Sequence, residues 1–294
     1  MSAPAPPVAR FAAPPSAGGW LKINALFTFP AMKYQLTILA LLFLSACAAP
    51  RKTLPGVSAG VTALADSLYT VALETEALYT LYAPVKPVSS VGQALRFPVA
   101  RDSTQRAGQR EASPEKYRSA SAARIATMNS ALNHLSNGTH RWFLVPFRAA
   151  RDSNRYLQII VANRARFDAM LQEQAPFFLQ WGFAPGADPA VVLTTIENAN
   201  RLDRFRAYGY LFGYPEHAVT FFVEAARAED STGVFVQRDF FHVPVAKAKT
   251  GHFTWAVPKG YSPTPADSNT YWKAMEVLIR YQSEKTGKRR KRGI

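Results

Sequence analysis

Between Arg204 and His217 the chain reads RFRAYGYLFGYPEH, a stretch that crowds two arginines, three tyrosines and an acid–histidine pair together. Gly213 and Pro215 interrupt helical continuity, so Tyr214, Glu216 and His217 are expected at the start of a helix, where unpaired backbone N–H groups favour anions. Two chemistries suit this content. His217 with Glu216, or with Asp239 brought in from further along the chain, would make an acid–base pair. Arg204, Arg206 and Tyr214 would hold a ligand carboxylate or phosphate through charge-assisted hydrogen bonds. The same residues also suit a bland role, because tyrosines and phenylalanines at helical spacing usually pack a core and Gly-Pro usually punctuates.

His242 and His252 each fall in an expected strand and would complete a cluster with Asp239 and His217 if the fold brought them together. Their spacing does not demand this, and no metal site is predicted. Arg201 and Arg238 add to the cationic groups that an anionic ligand would meet, with surface solvation as the plainer reading. No Gly-rich phosphate loop, G-x-S-x-G elbow, H-E-x-x-H pair or calcium-binding loop occurs in the chain, and no cofactor is predicted.

Cys47 is the only cysteine, which excludes an intramolecular disulfide and a zinc site built on cysteines. Its thiol sits at the end of MKYQLTILALLFLSAC (32–47). There Lys33 supplies a positive start, the run from Leu36 to Leu44 is apolar apart from Thr37, and small residues follow. That order reads as a secretory signal, and the run is shorter than the roughly 20 residues needed to cross a bilayer. Leu44-Ser45-Ala46-Cys47 resembles the lipobox of bacterial lipoproteins at every position. The resemblance implies lipid attachment to the Cys47 sulfur and cleavage before it, with small residues at Ser45 and Ala46 letting the backbone into the peptidase. The acyl chains would anchor the protein at about 0.8 kcal/mol per buried methylene. Ala48, where an aspartate would favour the inner membrane, implies by the same resemblance the outer membrane of a bacterial envelope. The remainder of the chain resembles no family of known function.

Residues 1–31 are rich in proline and alanine and contain no acid. They read as a disordered extension, or as a mis-assigned start with translation beginning at Met32, and are set aside from the fold. The net charge of +15 falls to +12 once Arg10, Lys22 and Lys33 are removed. Lys285, Lys288, Arg289, Arg290, Lys291 and Arg292 then account for half of what remains, so the excess is mostly a basic tail (284–294). On an exported protein such a tail meets anionic lipid or lipopolysaccharide, and no nucleic acid is expected as a partner. A solvated terminus with no partner is the alternative.

The body, at 57–283 after a tether at 47–56, must position these groups. Apolar residues recur at helical intervals from Val57 to Tyr82 and from Tyr117 to Leu135, the second run stopping at Asn137-Gly138. The stretch from Pro84 to Ser113 has no sustained period and reads as a long loop. WFLVPF (142–147) and YLQIIVA (156–162) read as a strand pair. Helical spacing returns from Phe167 to Trp181, from Asp188 to about Arg206 and after Pro215. Strands are expected at 234–245 and 252–258, and a last helix from Ser268 to Gln282. The sum is a helix-rich α+β single domain with a small antiparallel sheet. Two function classes follow. One is a lipid-anchored envelope protein that binds a partner or ligand; the other is a membrane-tethered hydrolase using His217 with Glu216 or Asp239.

Overall fold

A computed structural model describes residues 8–9, 58–100, 111–112, 115–148 and 154–291. Cys47, the signal segment and the tether lie outside the described residues. Of 1–31, the pair Val8–Ala9 is described, as a short strand (β1).

The first helix, α1 (Ala59–Glu74), starts where the Ser58 hydroxyl accepts from Val61 N–H, and it buries Ala65, Leu68 and Ala72 at intervals of three and four. A single turn, α2 (Leu78–Leu81), follows. The next segment departs from expectation. Val88–Ala100 forms a strand, β2, not a loop, and the short β3 (Glu111–Ala112) pairs back onto it. Its alternation is hidden because the register against the neighbouring strand shifts between Ser90 and Ala94, and Gly92 takes a positive φ there.

Helix α3 (Glu115–Leu135) leads through Asn137, whose side chain accepts from Thr139 and His140 N–H at 2.8 Å each, into β4 (His140–Pro146) and β5 (Asn154–Asn163). β4 and β5 pair antiparallel as expected, and the sheet order is β3-β2-β5-β4. β5 is buried on both faces. Ile159 and Val161 pack with Leu68 of α1, Met128 and Leu132 of α3, and Trp142. Ile160 and Ala162 pack on the other side under α4 (Arg164–Glu173), α5 (Ala175–Phe178), α6 (Pro189–Glu197), α7 (Arg201–Leu211) and α8 (Glu216–Thr232). Helices thus cover both faces of this sheet.

The single helix expected from Asp188 to Arg206 is two. Asp188 caps α6 by accepting from Ala190 N–H at 2.7 Å, and Asn200 opens α7 by accepting from Asp203 N–H at 3.0 Å, so the capping asparagine splits the run. A second antiparallel sheet, in the order β1-β6-β7, comprises β6 (Arg238–Val243) and β7 (Phe253–Pro258) with β1 on its edge. The last helix, α9 (Pro265–Lys291), is longer at both ends than its periodicity implied and seals this sheet with Ala274, Val277 and Leu278. The chain is a helix-rich α+β domain whose strands divide between two small antiparallel sheets.

Candidate functional site

Side chains on a strand alternate between faces, so Asp239 and Phe241 share one face of β6 while Phe240 and His242 share the other. This alternation separates the groups that a His217–Asp239–His242 cluster would need. Asp239 has no solvent exposure and accepts from Lys259 Nζ and Gly260 N–H, both at 2.9 Å. His242 is buried, and its Nδ1 lies 2.8 Å from Thr254 Oγ1 on β7. Burial holds the His242 imidazole below its ordinary pKa, and hence neutral.

His217, at the first turn of α8, meets neither Glu216 nor Asp239. Its Nε2 lies 2.8 Å from Tyr261 Oη and 3.2 Å from Asp267 Oδ1, and its ring stacks on that of Tyr261. Asp267 was not singled out from the sequence. It has no exposure and accepts from three residues, Trp255 Nε1 at 3.0 Å, Tyr261 Oη, and Thr264 N–H and Oγ1 at 2.8 and 2.7 Å, with His217 Nε2 standing 3.2 Å away. Thr264 and Asp267 form a reciprocal capping pair at the start of α9, so the T-P-A-D run at 264–267 was a legible signal for this carboxylate. Burial pushes its pKa up, but the hydrogen bonds from Tyr261 and Thr264 and the charge of His217 outweigh that and hold it below the ordinary aspartate value. Glu216 instead accepts from Tyr210 Oη and Thr220 Oγ1, both at 3.1 Å, with Arg206 at 3.9 Å.

The other cations have protein partners. Arg204 is buried and donates to the carbonyls of Glu197 and Ala199, so it ties α7 to the end of α6. Arg201 pairs with Asp230 on α8. Arg238 donates to Val236 O at 3.1 Å and lies over the Phe235 ring at 4.3 Å. These three arginines do not converge on one point with Arg206 and Tyr214.

Tyr214 belongs to the more prominent feature, a cavity of about 130 Å³ lined by residues of α7, α8, β6 and β7 together with Phe147 and Gln158. Its walls are aromatic, with Tyr208, Phe212, Tyr214, Phe222, Phe240 and Trp255 contributing rings. Tyr208, Phe212 and Tyr214 form a stacked series that continues to Phe253. Burial, then the charge of Glu76, raises the Tyr214 hydroxyl far above its usual pKa, so it stays protonated. The polar side chains on the wall are those of Gln158, Glu197, Tyr208, Tyr214, His252 and Thr254. Glu197 accepts from Arg148 N–H at 2.9 Å and from Tyr208 Oη, and Thr254 is engaged with His242. His252 reaches the cavity from the loop before β7. Burial holds its pKa down, aided by Lys247 and Lys86 and opposed by Glu76, so it too is neutral near pH 7. Among the described residues, no group of three or more histidine, cysteine, aspartate or glutamate side chains is placed to hold a metal ion, and no helix is long and apolar enough to cross a membrane.

Comparison with known protein families, with curated proteins and with solved structures found no match to this chain.

Proposed function

We propose that the protein is anchored by lipid at Cys47 in the bacterial cell envelope, at the outer membrane, and that its folded domain binds a small, largely apolar ligand in the aromatic cavity. The anchoring part rests on the signal at 32–46 and on Leu44-Ser45-Ala46-Cys47. The binding part rests on one observation: the cavity is walled by rings, while the carboxyl and hydroxyl groups of Glu197, Tyr208 and Thr254 on its wall are already paired within the protein. An apolar guest can therefore fill this space without breaking those hydrogen bonds. A cavity of about 150 Å³ accepts a benzene-sized guest, which sets the scale of the ligand or of the ligand end that enters.

The test uses toluene as probe, read by saturable protection against thermal unfolding. Ala256 lies on the cavity wall opposite Phe240, and Ala256→Leu fills the space. Protection that saturates in the wild type and is lost in a folded A256L variant supports the reading; equal protection in both sinks it. The anchor is tested separately, by acyl mass on the mature chain and its loss in Cys47→Ser.

A second reading, a membrane-tethered hydrolase, has one observation in its favour. His217 is partly exposed, and a buried carboxylate orients it from behind. That carboxylate is Asp267 in place of Glu216 or Asp239. Release of nitrophenol from short-chain nitrophenyl esters, lost in His217→Gln and kept in A256L, would favour it; no release by the wild type would remove it.

A further inference from the structure

Helix α9 runs for 27 residues, about 40 Å at 1.5 Å per residue, but its buried residues end at Leu278. From Gln282 to Gly287 every residue is exposed, and Lys285 reaches back to Glu74 of α1. Part of the basic tail is therefore helical. Up to Lys291 it is the end of a rod whose base is fixed in the core by Ala274, Val277 and Leu278.

Two observations give this rod a direction. Trp272 and Ile279 are 40% and 59% exposed, and they stand seven positions apart on the side of α9 that faces away from the sheet. Among the described residues, large exposed apolar side chains are few, and two of the five lie on this one stripe. Successive residues turn by 100°, so Lys273 and Arg280 both lie on one side of the stripe, about 80° to 100° round from Trp272, and Glu276 lies closer to it. From Lys273 onward the helix carries seven basic residues against Glu276 and Glu284. Of the seven, Lys285 is paired with Glu74 and Arg280 lies over Tyr82.

We propose that this outer face of α9 docks on an anionic phospholipid surface, with Trp272 and Ile279 entering the headgroup boundary and the basic end held against the phosphates. A helix with aromatic and aliphatic residues flanked by lysine and arginine binds an interface by apolar burial and by charge together. Each basic residue near an anionic surface strengthens partitioning roughly fivefold at low salt. A nucleic acid would match the charge but offers no apolar layer for Ile279. The proposal builds on the envelope reading, yet fails separately from it, because the anchor is read by acyl mass and the helix by its tryptophan.

The experiment reconstitutes the full chain into vesicles of neutral phosphatidylcholine, with or without phosphatidylglycerol, containing brominated lipid. The Trp272 signal is the difference between wild type and Trp272→Phe. Bromine quenching of that signal is expected in the anionic vesicles and not in the neutral ones, and it should diminish at high salt. Replacing Lys288, Arg289, Arg290 and Lys291 by glutamine should abolish it while circular dichroism stays unchanged. Equal quenching in both vesicles, or quenching indifferent to the four replacements, overturns the proposal. So does Trp272 fluorescence that responds to duplex DNA and not to anionic vesicles.

Discussion

The imidazole Nε2 of His217 lies 3.2 Å from Oδ1 of Asp267, a carboxylate with no access to solvent. Through Asp267 the start of α8, the strand β7 and the start of α9 are tied to one anion. Asp267→Asn keeps the shape but replaces an acceptor-only group by one that is half donor, so at least one of its donors loses a partner. A loss of about 2 to 3 kcal/mol in urea unfolding at pH 7 is expected.

The pH dependence of that variant has a definite sign. The folded-state pKa of Asp267 lies below the ordinary value, because hydrogen bonds and the His217 charge overcome its burial. Its contribution to stability is therefore complete above about pH 4 and fades as pH falls through the lower, folded-state pKa. Melting temperatures of wild type and D267N, measured from pH 7 downward, should converge in that acidic window. A gap that stays constant with pH would mean that the carboxylate charge is not what holds the junction.

What the sequence disclosed and what it hid have physical reasons. The hairpin at β4 and β5, the capped start at Asp188, the helix stop at Asn137-Gly138 and the helix after Pro215 were legible because their signals are local. β2 was not, because a register shift at Ser90 to Ala94 breaks its alternation and Gly92 and Pro98 imitate a loop. In the candidate site, His217 stood out by type, but its partner did not. Asp267 lies fifty positions further on, and its own helix appeared to start one residue later, at Ser268. The aromatic cavity was half visible, in that the three tyrosines of 204–217 were noted together and two of them, Tyr208 and Tyr214, line it, whereas Phe222, Phe240 and Trp255 join them through tertiary packing alone.

A buried ion pair is a second junction that periodicity could not reveal. Lys86 and Glu76 have almost no exposure; Glu76 also accepts from Ser90 Oγ at 2.9 Å, and Lys86 Nζ lies 4.2 Å over the Phe253 ring of β7. Lys86→Met leaves Glu76 charged in an apolar setting and should cost about 3 to 5 kcal/mol. The double variant with Glu76→Gln should cost clearly less than the sum of the two single changes, since the uncompensated charge is gone. Chemical denaturation of the four proteins measures the coupling, and strict additivity would show that the pair acts as two independent polar groups.

Tyr208 stacks within the cavity wall and donates its hydroxyl to Glu197. Burial and the neighbouring carboxylate raise its pKa well above the usual tyrosine value, so it remains a donor across the accessible range. Tyr208→Phe keeps the ring and leaves Glu197 with the Arg148 N–H as its remaining bond on that carboxylate. Stability should fall by about 1 to 3 kcal/mol, while toluene affinity, which depends on the ring, should change little. A large loss of affinity with unchanged stability would mean that the hydroxyl serves the ligand instead of the fold.

Gly209 tests how tightly α7 and α8 are pressed together beside the cavity. A methyl group built on Gly209 would come within 2.5 Å of Val219 Cγ2, and valine, branched at Cβ, has no easy rotamer to retreat into. Alanine in place of a mid-helix glycine ordinarily stabilises by about 1 kcal/mol. Here the crowding should outweigh that gain, since overpacking costs about 1 to 3 kcal/mol, and Gly209→Ala should be less stable than the wild type. Val219→Ala alone creates a small void and is also destabilising. The pair together should recover much of both losses, because the new methyl group enters the space that valine vacates. Thermal unfolding of the two single variants and the double variant decides it: a stabilised G209A would show that the helices separate freely, and additive losses would place the strain elsewhere than at Val219.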